Sequence, residues 1–166
     1  MVSWTSINEK YLISAKVLFF AMNLEMYAFY TFRSIFITQH LGLSVENYGV
    51  IASVMACVSF PFMALWGTVS DVIGRPKLVL LILAIATAGF FELLAIKFEP
   101  GSLKQFGYVL GILIGYAAVS AGLQPLLDVI ALKILTANPS FSKELYGRQR
   151  LFGTLSYAVV TLVSAF

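Results

Sequence analysis

The chain has 166 residues, of which 60% are hydrophobic and only 11% charged, with a mean hydropathy of +0.89. Soluble domains carry about 25% charged residues, so this composition excludes a soluble globular protein and is typical of an integral membrane protein. The net charge of +3 comes from basic residues scattered between apolar segments, which argues against a nucleic-acid-binding surface.

The apolar segments predict an all-α integral membrane protein. The start, MVSWTSINEKY, lacks the features of a cleavable signal peptide, so the first apolar run is expected to stay in the protein as an anchor. A bilayer core needs about 20 helical residues to cross it. Division at charges and turn formers predicts five helices, at about 12–39, 46–69, 76–97, 105–136 and 146–166. The apolar runs are continuous, which favours helices over a barrel.

The lysines and arginines predict a cytoplasmic N-terminus, because cytoplasmic loops carry the excess of basic residues. This orientation places eight basic residues on the cytoplasmic side and two on the other, with Arg33 set aside inside the first helix. The eight are Lys10, Lys16, Arg75, Lys77, Lys133, Lys143, Arg148 and Arg150, and the two are Lys97 and Lys104.

The first predicted helix carries Glu25 near its middle, which makes this residue a candidate for a central cavity. Asn23, Tyr27 and Tyr30 are its polar or aromatic neighbours. Arg33 lies about 12 Å further along the helix, so it is not expected to pair with Glu25. The alternative for Arg33 is that it reaches toward the outer membrane interface.

The link between the second and third helices reads GTVSDVIGRPK, residues 67–77. Gly67 is expected to allow close approach of a neighbouring backbone, Gly74 to permit a turn, and Pro76 to begin the third helix. Asp71 is expected just before that helix, where the helix dipole favours a negative charge. A plain cytoplasmic turn is the alternative interpretation.

This link resembles the signature loop of the major facilitator superfamily. The matching residues are Gly67, Asp71, Gly74, Arg75 and Lys77, whereas Val72 and Pro76 stand where the family commonly has bases. The resemblance implies a membrane transporter in which these matching residues form a gating loop.

The fourth predicted helix combines a glycine stripe, Gly107, Gly111 and Gly115, with a proline and an acid. The stripe has the spacing of close helix packing. Pro125 is expected to kink the helix one turn before Asp128. A carboxylate at the centre of a membrane helix costs about 2.5 to 3.5 kcal/mol, so Asp128 is expected to face a partner or a watery cavity.

The fifth predicted helix opens with YGRQRLFG, residues 146–153. Asp128 and Arg150 each lie about 10 Å from the cytoplasmic end of an antiparallel helical hairpin, so an ion pair is expected. It is either a substrate contact or a structural or gating salt bridge. The run resembles the branch of lactose-permease-type sugar/proton symporters, in which the second arginine and a carboxylate of helix four hold the substrate. That resemblance implies substrate binding by Asp128 and Arg150.

The resemblance covers essentially the whole chain as roughly five of the family's twelve helices. It implies an incomplete N-terminal transmembrane half, 1–166, of a secondary active transporter. A small polar solute such as a sugar, nucleoside or organic acid would move by proton-coupled alternating access. The expected partners are the lipid bilayer, the solute, protons, and a missing C-terminal half or a full-length carrier. The alternative is a truncated membrane protein that does not transport, being either inert or a modulator of a full-length carrier. The host membrane is the plasma membrane or that of an organelle.

The residue types of the chain give little support to an enzymatic function. Cys57, the single cysteine, excludes an internal disulfide and a thiolate metal cluster, and it is expected to be an inert buried thiol. His40 is the single histidine, and the acids are dispersed, so neither a catalytic base pair nor a metal-ligand set is evident. We expect no enzyme, no metal, no cofactor and no nucleic-acid partner.

Overall fold

The computed structural model of the protein describes residues 12–96, 102–137 and 145–163. Its elements in these ranges are all helices, with no strand among them. They are α1 (Ile13–Ile35) with a π-helical extension (Phe36–His40), α2 (Val45–Ile73), α3 (Pro76–Leu93), α4 (Leu103–Ser120), α5 (Leu123–Ala137) and α6 (Tyr146–Val163). The predicted all-α class is confirmed.

Within the described ranges, three stretches are long and apolar enough to cross a membrane: Val45–Ile73, Pro76–Leu93 and Leu103–Ala137. Helices α1 and α6 do not belong to this set. They carry charged residues between their apolar ones: Lys16, Glu25 and Arg33 in α1, and Arg148 and Arg150 in α6. Since a charge inside a membrane helix marks a pathway or a binding site, these two helices are where a functional site is expected.

Parts of the predicted topology rest on residues outside the described ranges. These are Lys10, Lys97, Lys143 and the predicted helical residues 164–166. The cytoplasmic N-terminus therefore stays a prediction.

The chain divides into two compact units. In the first, which includes described residues 12–31, 127–137 and 145–163, the beginning of α1, the end of α5 and the beginning of α6 share one apolar cluster. Leu12, Ala15 and Leu135 are buried there, and Ile134, Leu145 and Tyr146 pack against them. The second unit includes described residues 32–96 and 102–126 and contains α2, α3 and α4.

Helix α2 begins and ends with ordinary capping geometry. The Ser44 hydroxyl accepts a hydrogen bond from the Asn47 N–H at 3.1 Å, as an N-cap residue does. Gly74 has a φ of 69°, and its N–H donates to the Ser70 carbonyl at 2.9 Å. The left-handed conformation ends the helix there at little cost because glycine has no Cβ. Pro76 begins α3, as predicted.

Asp71 does not lie where it was predicted, because α2 is longer than predicted. The helix continues to Ile73 rather than ending near 69, so Asp71 lies in the last turn of α2 and not at the beginning of α3. No proline or glycine lies between Gly67 and Gly74, so the helix continues until Gly74 caps it.

Two further predictions about α2 are wrong. A Cβ added at Gly67 would meet no atom of the described residues within 4 Å, so the expected close approach is absent there. Cys57 was expected to be buried, but it is exposed on the protein surface. An apolar sequence run does not decide which residues face a neighbouring helix, because in a membrane protein the lipid-facing side is apolar as well.

The glycine stripe of α4 packs at only one of its three positions within the described residues. A Cβ at Gly115 would overlap the Phe90 ring of α3, whereas at Gly107 and Gly111 it would meet nothing within 4 Å. The stripe therefore supports close packing of α3 against α4 at its C-terminal end.

The predicted single helix over 105–136 is two helices, α4 and α5, separated at Ala121 and Gly122. Pro125 explains the break, because a proline has no N–H and its ring clashes with the carbonyl four residues earlier, here that of Ala121. The Gly122 N–H donates to the Val119 carbonyl at 3.4 Å, three residues back. The predicted disturbance by Pro125 is thus confirmed, and it is a full interruption of the helix.

Replacing Gly74 with alanine should lower the stability of the protein by about 1 kcal/mol, because a residue with a Cβ is strained at this left-handed φ. The measurement is thermal unfolding in detergent micelles. Gly67→Ala is the matched control, since it adds a methyl group within α2 where the space is open. It should leave stability unchanged or raise it slightly. Equal melting temperatures for the two variants would contradict the assigned cap.

Candidate functional site

Tyr146 links Asp128 and Arg150, the two charged residues that were predicted from the sequence to form a pair. Its hydroxyl lies close enough to the Asp128 carboxylate of α5 and to the Arg150 guanidinium of α6 to interact with both. Asp128 and Tyr146 are half-buried, and Arg150 is exposed. The structure therefore brings Asp128 and Arg150 to one shared hydroxyl group.

Helix geometry explains this meeting. Tyr146 and Arg150 are four residues apart and so lie on the same face of α6. The end of α5 and the beginning of α6 share the cluster that contains Leu135 and Leu145. Asp128 therefore lies on a helix whose end packs against the beginning of α6, which agrees with the predicted antiparallel hairpin.

Tyr146 was missed as a site residue by the sequence-based prediction, although it begins the quoted run. A phenol at the first turn of a helix is most often a packing residue, and Tyr146 does pack its ring edgewise against Phe19, with 6.4 Å between centroids. The available signal was the position of the tyrosine one turn before Arg150, on the face assigned to the site.

Asn23 is buried, with 4% of its surface exposed, and it lies against Gly153 of α6. Its Nδ2 donates to the Phe19 carbonyl at 2.8 Å. A Cβ at Gly153 would come within 2.8 Å of that Nδ2 atom. The glycine that ends the YGRQRLFG run therefore makes room for the polar side chain of Asn23.

Tyr27 continues the same contact between α1 and α6. Its ring packs edgewise against Tyr157, with 5.0 Å between centroids. The contacts advance together along both helices, from Asn23 against Gly153 to Tyr27 against Tyr157. The two helices therefore run parallel in this unit, which is the direction expected for the first and fifth predicted helices.

Glu25 and Gln149 each present a buried oxygen atom without a hydrogen-bond partner among the described residues. In both residues the atom is Oε1. Gln149 is only 3% exposed, and its Nε2 donates to the Leu145 carbonyl of its own helix at 3.4 Å. Because buried polar atoms are almost always bonded, the two oxygen atoms mark positions where a donor is expected. Gln149 was not selected from the sequence, and its place between two arginines was the only signal.

Arg33 and Tyr30 lie in the C-terminal half of α1. The Arg33 Nη1 donates to the Met55 Sδ at 3.7 Å, and the guanidinium lies 6.0 Å from the centroid of the Tyr48 ring. Both partners belong to α2, so the guanidinium is turned toward a neighbouring helix. Tyr30, which was expected beside the cavity, is 64% exposed.

The signature-loop residues lie in the other unit. Asp71, Gly74, Arg75 and Lys77 are exposed. The Arg75 carbonyl accepts hydrogen bonds from the Leu78 and Val79 N–H groups, at 3.0 and 3.2 Å, at the beginning of α3. The loop is therefore a capped helix-to-helix turn, and its gating role stays a prediction.

Comparison with known protein families identifies the family of this chain. The model of the MFS_1 like family matches residues 12–166. The chain belongs to this family. No curated protein and no solved structure matches the chain. The family relates the chain to the major facilitator superfamily and, together with the apolar helices, indicates a multi-pass membrane protein related to transporters. The narrower resemblance to lactose-permease-type symporters stays a prediction.

Gly153→Ala should destabilise the protein by about 1 to 3 kcal/mol, because the added methyl group overlaps the buried amide of Asn23. Thermal unfolding of the purified chain measures this loss. Gly147→Ala adds the same methyl group at an open position of α6 and should have no such effect.

A second substitution tests whether Asn23 is the cause. In an Asn23→Ala background the cost of Gly153→Ala should fall, because the overlapping amide is gone and the two effects are not additive. An equal cost in both backgrounds would contradict the contact.

Proposed function

We propose that the chain is the N-terminal part of a secondary active transporter that moves a small polar solute by alternating access. Asp128, Tyr146 and Arg150 form the core of its solute-binding site. The observation that carries the proposal is the position of the Tyr146 hydroxyl, which interacts with a carboxylate of one helix and a guanidinium of another. Membership in a transporter-related family supports it.

The energetics of such a group favour exchange with a solute over a purely structural role. A charged group inside a membrane helix is costly, so stability alone is a weak reason to keep an acid and a base in these helices. A solute hydroxyl can take the place of the Tyr146 hydroxyl, with Asp128 as acceptor and Arg150 as donor. Neither charged side chain is fully buried within the chain, so both have surface that a solute can contact.

The unit contains further polar groups that suit a hydrogen-bonding solute. The Oε1 atoms of Glu25 and Gln149, which have no hydrogen-bond partner among the described residues, can accept hydrogen bonds. Asn23 and Tyr27 lie along the α1 face that contacts α6. Sugars, nucleosides and organic acids all carry hydroxyl or carboxyl groups that pair with such a set, so the proposal extends to these three classes.

Alternating access requires a second half that rocks against the first around a site near the membrane midplane. The proposed partners are therefore a C-terminal half or a full-length carrier, in addition to the bilayer and the solute. Proton coupling rests on the resemblance to proton symporters, with the coupling groups expected in the second half. The signature loop, which includes Asp71 and Arg75, is proposed to gate the cytoplasmic side.

Solute binding should depend on the proposed charged pair. The purified protein is screened with sugars, nucleosides and organic acids, with thermal stabilisation as the readout of binding. For the solute that binds, Asp128→Asn and Arg150→Gln should each weaken affinity by about tenfold or more, since each removes a charged hydrogen bond. Helix content measured by circular dichroism should stay unchanged.

Matched controls remove charges of the same sign elsewhere. Glu92→Gln in α3 and Lys104→Gln in α4 are both exposed, and neither should change affinity. Unchanged affinity in both site variants would remove the pair from the site. Absence of binding to every solute in the panel would favour the alternative of a membrane protein that does not transport.

A further inference from the structure

The break between α4 and α5 leaves a main-chain carbonyl without its helical partner. In a continuous helix, the Gly122 N–H would donate to the Ala118 carbonyl four residues earlier. It donates instead to Val119, at 3.4 Å. Within a bilayer no water is available to bond to the freed oxygen atom, so the Ala118 carbonyl needs another donor.

Trp66 of α2 supplies that donor. Its indole Nε1–H donates to the Ala118 carbonyl at 2.7 Å, across 52 positions of sequence. The fit around the indole is close, because a Cβ at Gly122 would come within 2.8 Å of the Trp66 Cβ and 2.6 Å of a Leu83 methyl group. The missing side chain at Gly122 therefore admits the indole to the break.

We propose that the α4–α5 break is a hinge and that the Trp66 indole is the latch that holds it in one conformation. Pro125 withholds the donor that would close the helix at Ala121, and the bond that the Gly122 N–H donates to Val119 is long at 3.4 Å. The bond from Trp66 is short, comes from a different helix, and breaks when α2 shifts against α4. Release of the latch frees α5 to change its direction relative to α4.

The hinge has a direct consequence for the residues of α5. Asp128 lies on this helix six positions after Gly122, so a change in the direction of α5 moves its carboxylate. The evidence for the latch is the geometry of Trp66, Ala118 and Gly122. It does not depend on the proposed solute site.

Hydrogen exchange of the 166-residue chain in lipid nanodiscs tests the latch. Trp66→Phe keeps an aromatic ring but removes the N–H donor. Amide exchange in residues 122–127 should become about fivefold faster, the effect expected for one lost hydrogen bond. Exchange in α3 should stay unchanged. Trp4→Phe, which removes the other tryptophan, is the matched control and should leave residues 122–127 unchanged.

A second background separates the latch from general loosening of the packing. Pro125→Ala restores an N–H for the Ala121 carbonyl and permits a continuous helix, in which Gly122 bonds to Ala118. In this background Trp66→Phe should no longer accelerate exchange at residues 122–127. Equal acceleration with and without Pro125, or no acceleration in either, would overturn the proposal.

Fluorescence gives a readout that keeps Trp66 in place. In the Trp4→Phe chain, Trp66 is the only tryptophan, so its emission reports the state of the indole N–H. Gly122→Ala should push the indole away from Ala118, shift its emission to shorter wavelength and accelerate exchange at residues 122–127. Unchanged emission and exchange in this variant would contradict the latch.

Discussion

A polar group inside a bilayer has no water to bond with and must find its partner within the protein. This constraint explains most of the side-chain hydrogen bonds of the structure. Ser59, Thr68 and Thr87 each donate to the carbonyl four residues earlier in their own helix, at 2.7 to 3.1 Å. Where a helix is interrupted, as at Ala118, a donor comes from another helix. Each polar atom that does not follow this rule therefore needs its own explanation.

The exceptions to this rule concentrate in the unit that contains the candidate site. Glu25 and Gln149, both in that unit, have buried oxygen atoms without a partner in the described chain. The stretches Val45–Ile73, Pro76–Leu93 and Leu103–Ala137 satisfy the length and hydropathy of membrane spans. These two oxygen atoms therefore lie on α1 and α6, outside the three stretches, whereas Asp128 lies on α5 within the third.

Local features of the chain were predictable because their causes lie within a few residues. Gly74 ends α2, Pro76 begins α3 and Pro125 disrupts a helix. Each acts through its own backbone, by a permitted left-handed φ or a missing N–H. The same short range explains why Asp71 was misplaced, since the decisive stop signal was the glycine three residues later.

Contacts between distant parts of the chain were not predictable from the sequence. Trp66 and Ala118 are 52 positions apart, and periodicity alone does not say which helix faces which. For the same reason Gly67 was expected to pack and does not, whereas Gly153 packs against Asn23 without having been selected. Asp128 and Arg150 were selected because an acid and a base inside predicted membrane helices are rare whatever their neighbours.

A solute-binding Asp128 requires a water-accessible cavity at its side chain. A single substitution, Cys57→Ser, removes the only cysteine, and Asp128→Cys or Leu155→Cys is then introduced separately. The measurement is the rate of reaction with a small hydrophilic thiol reagent, with the chain in nanodiscs. The cysteine at 128 should react readily, and the cysteine at 155, on the exposed apolar face of α6, should react slowly. Equal, slow reaction at both positions would contradict a polar cavity at Asp128.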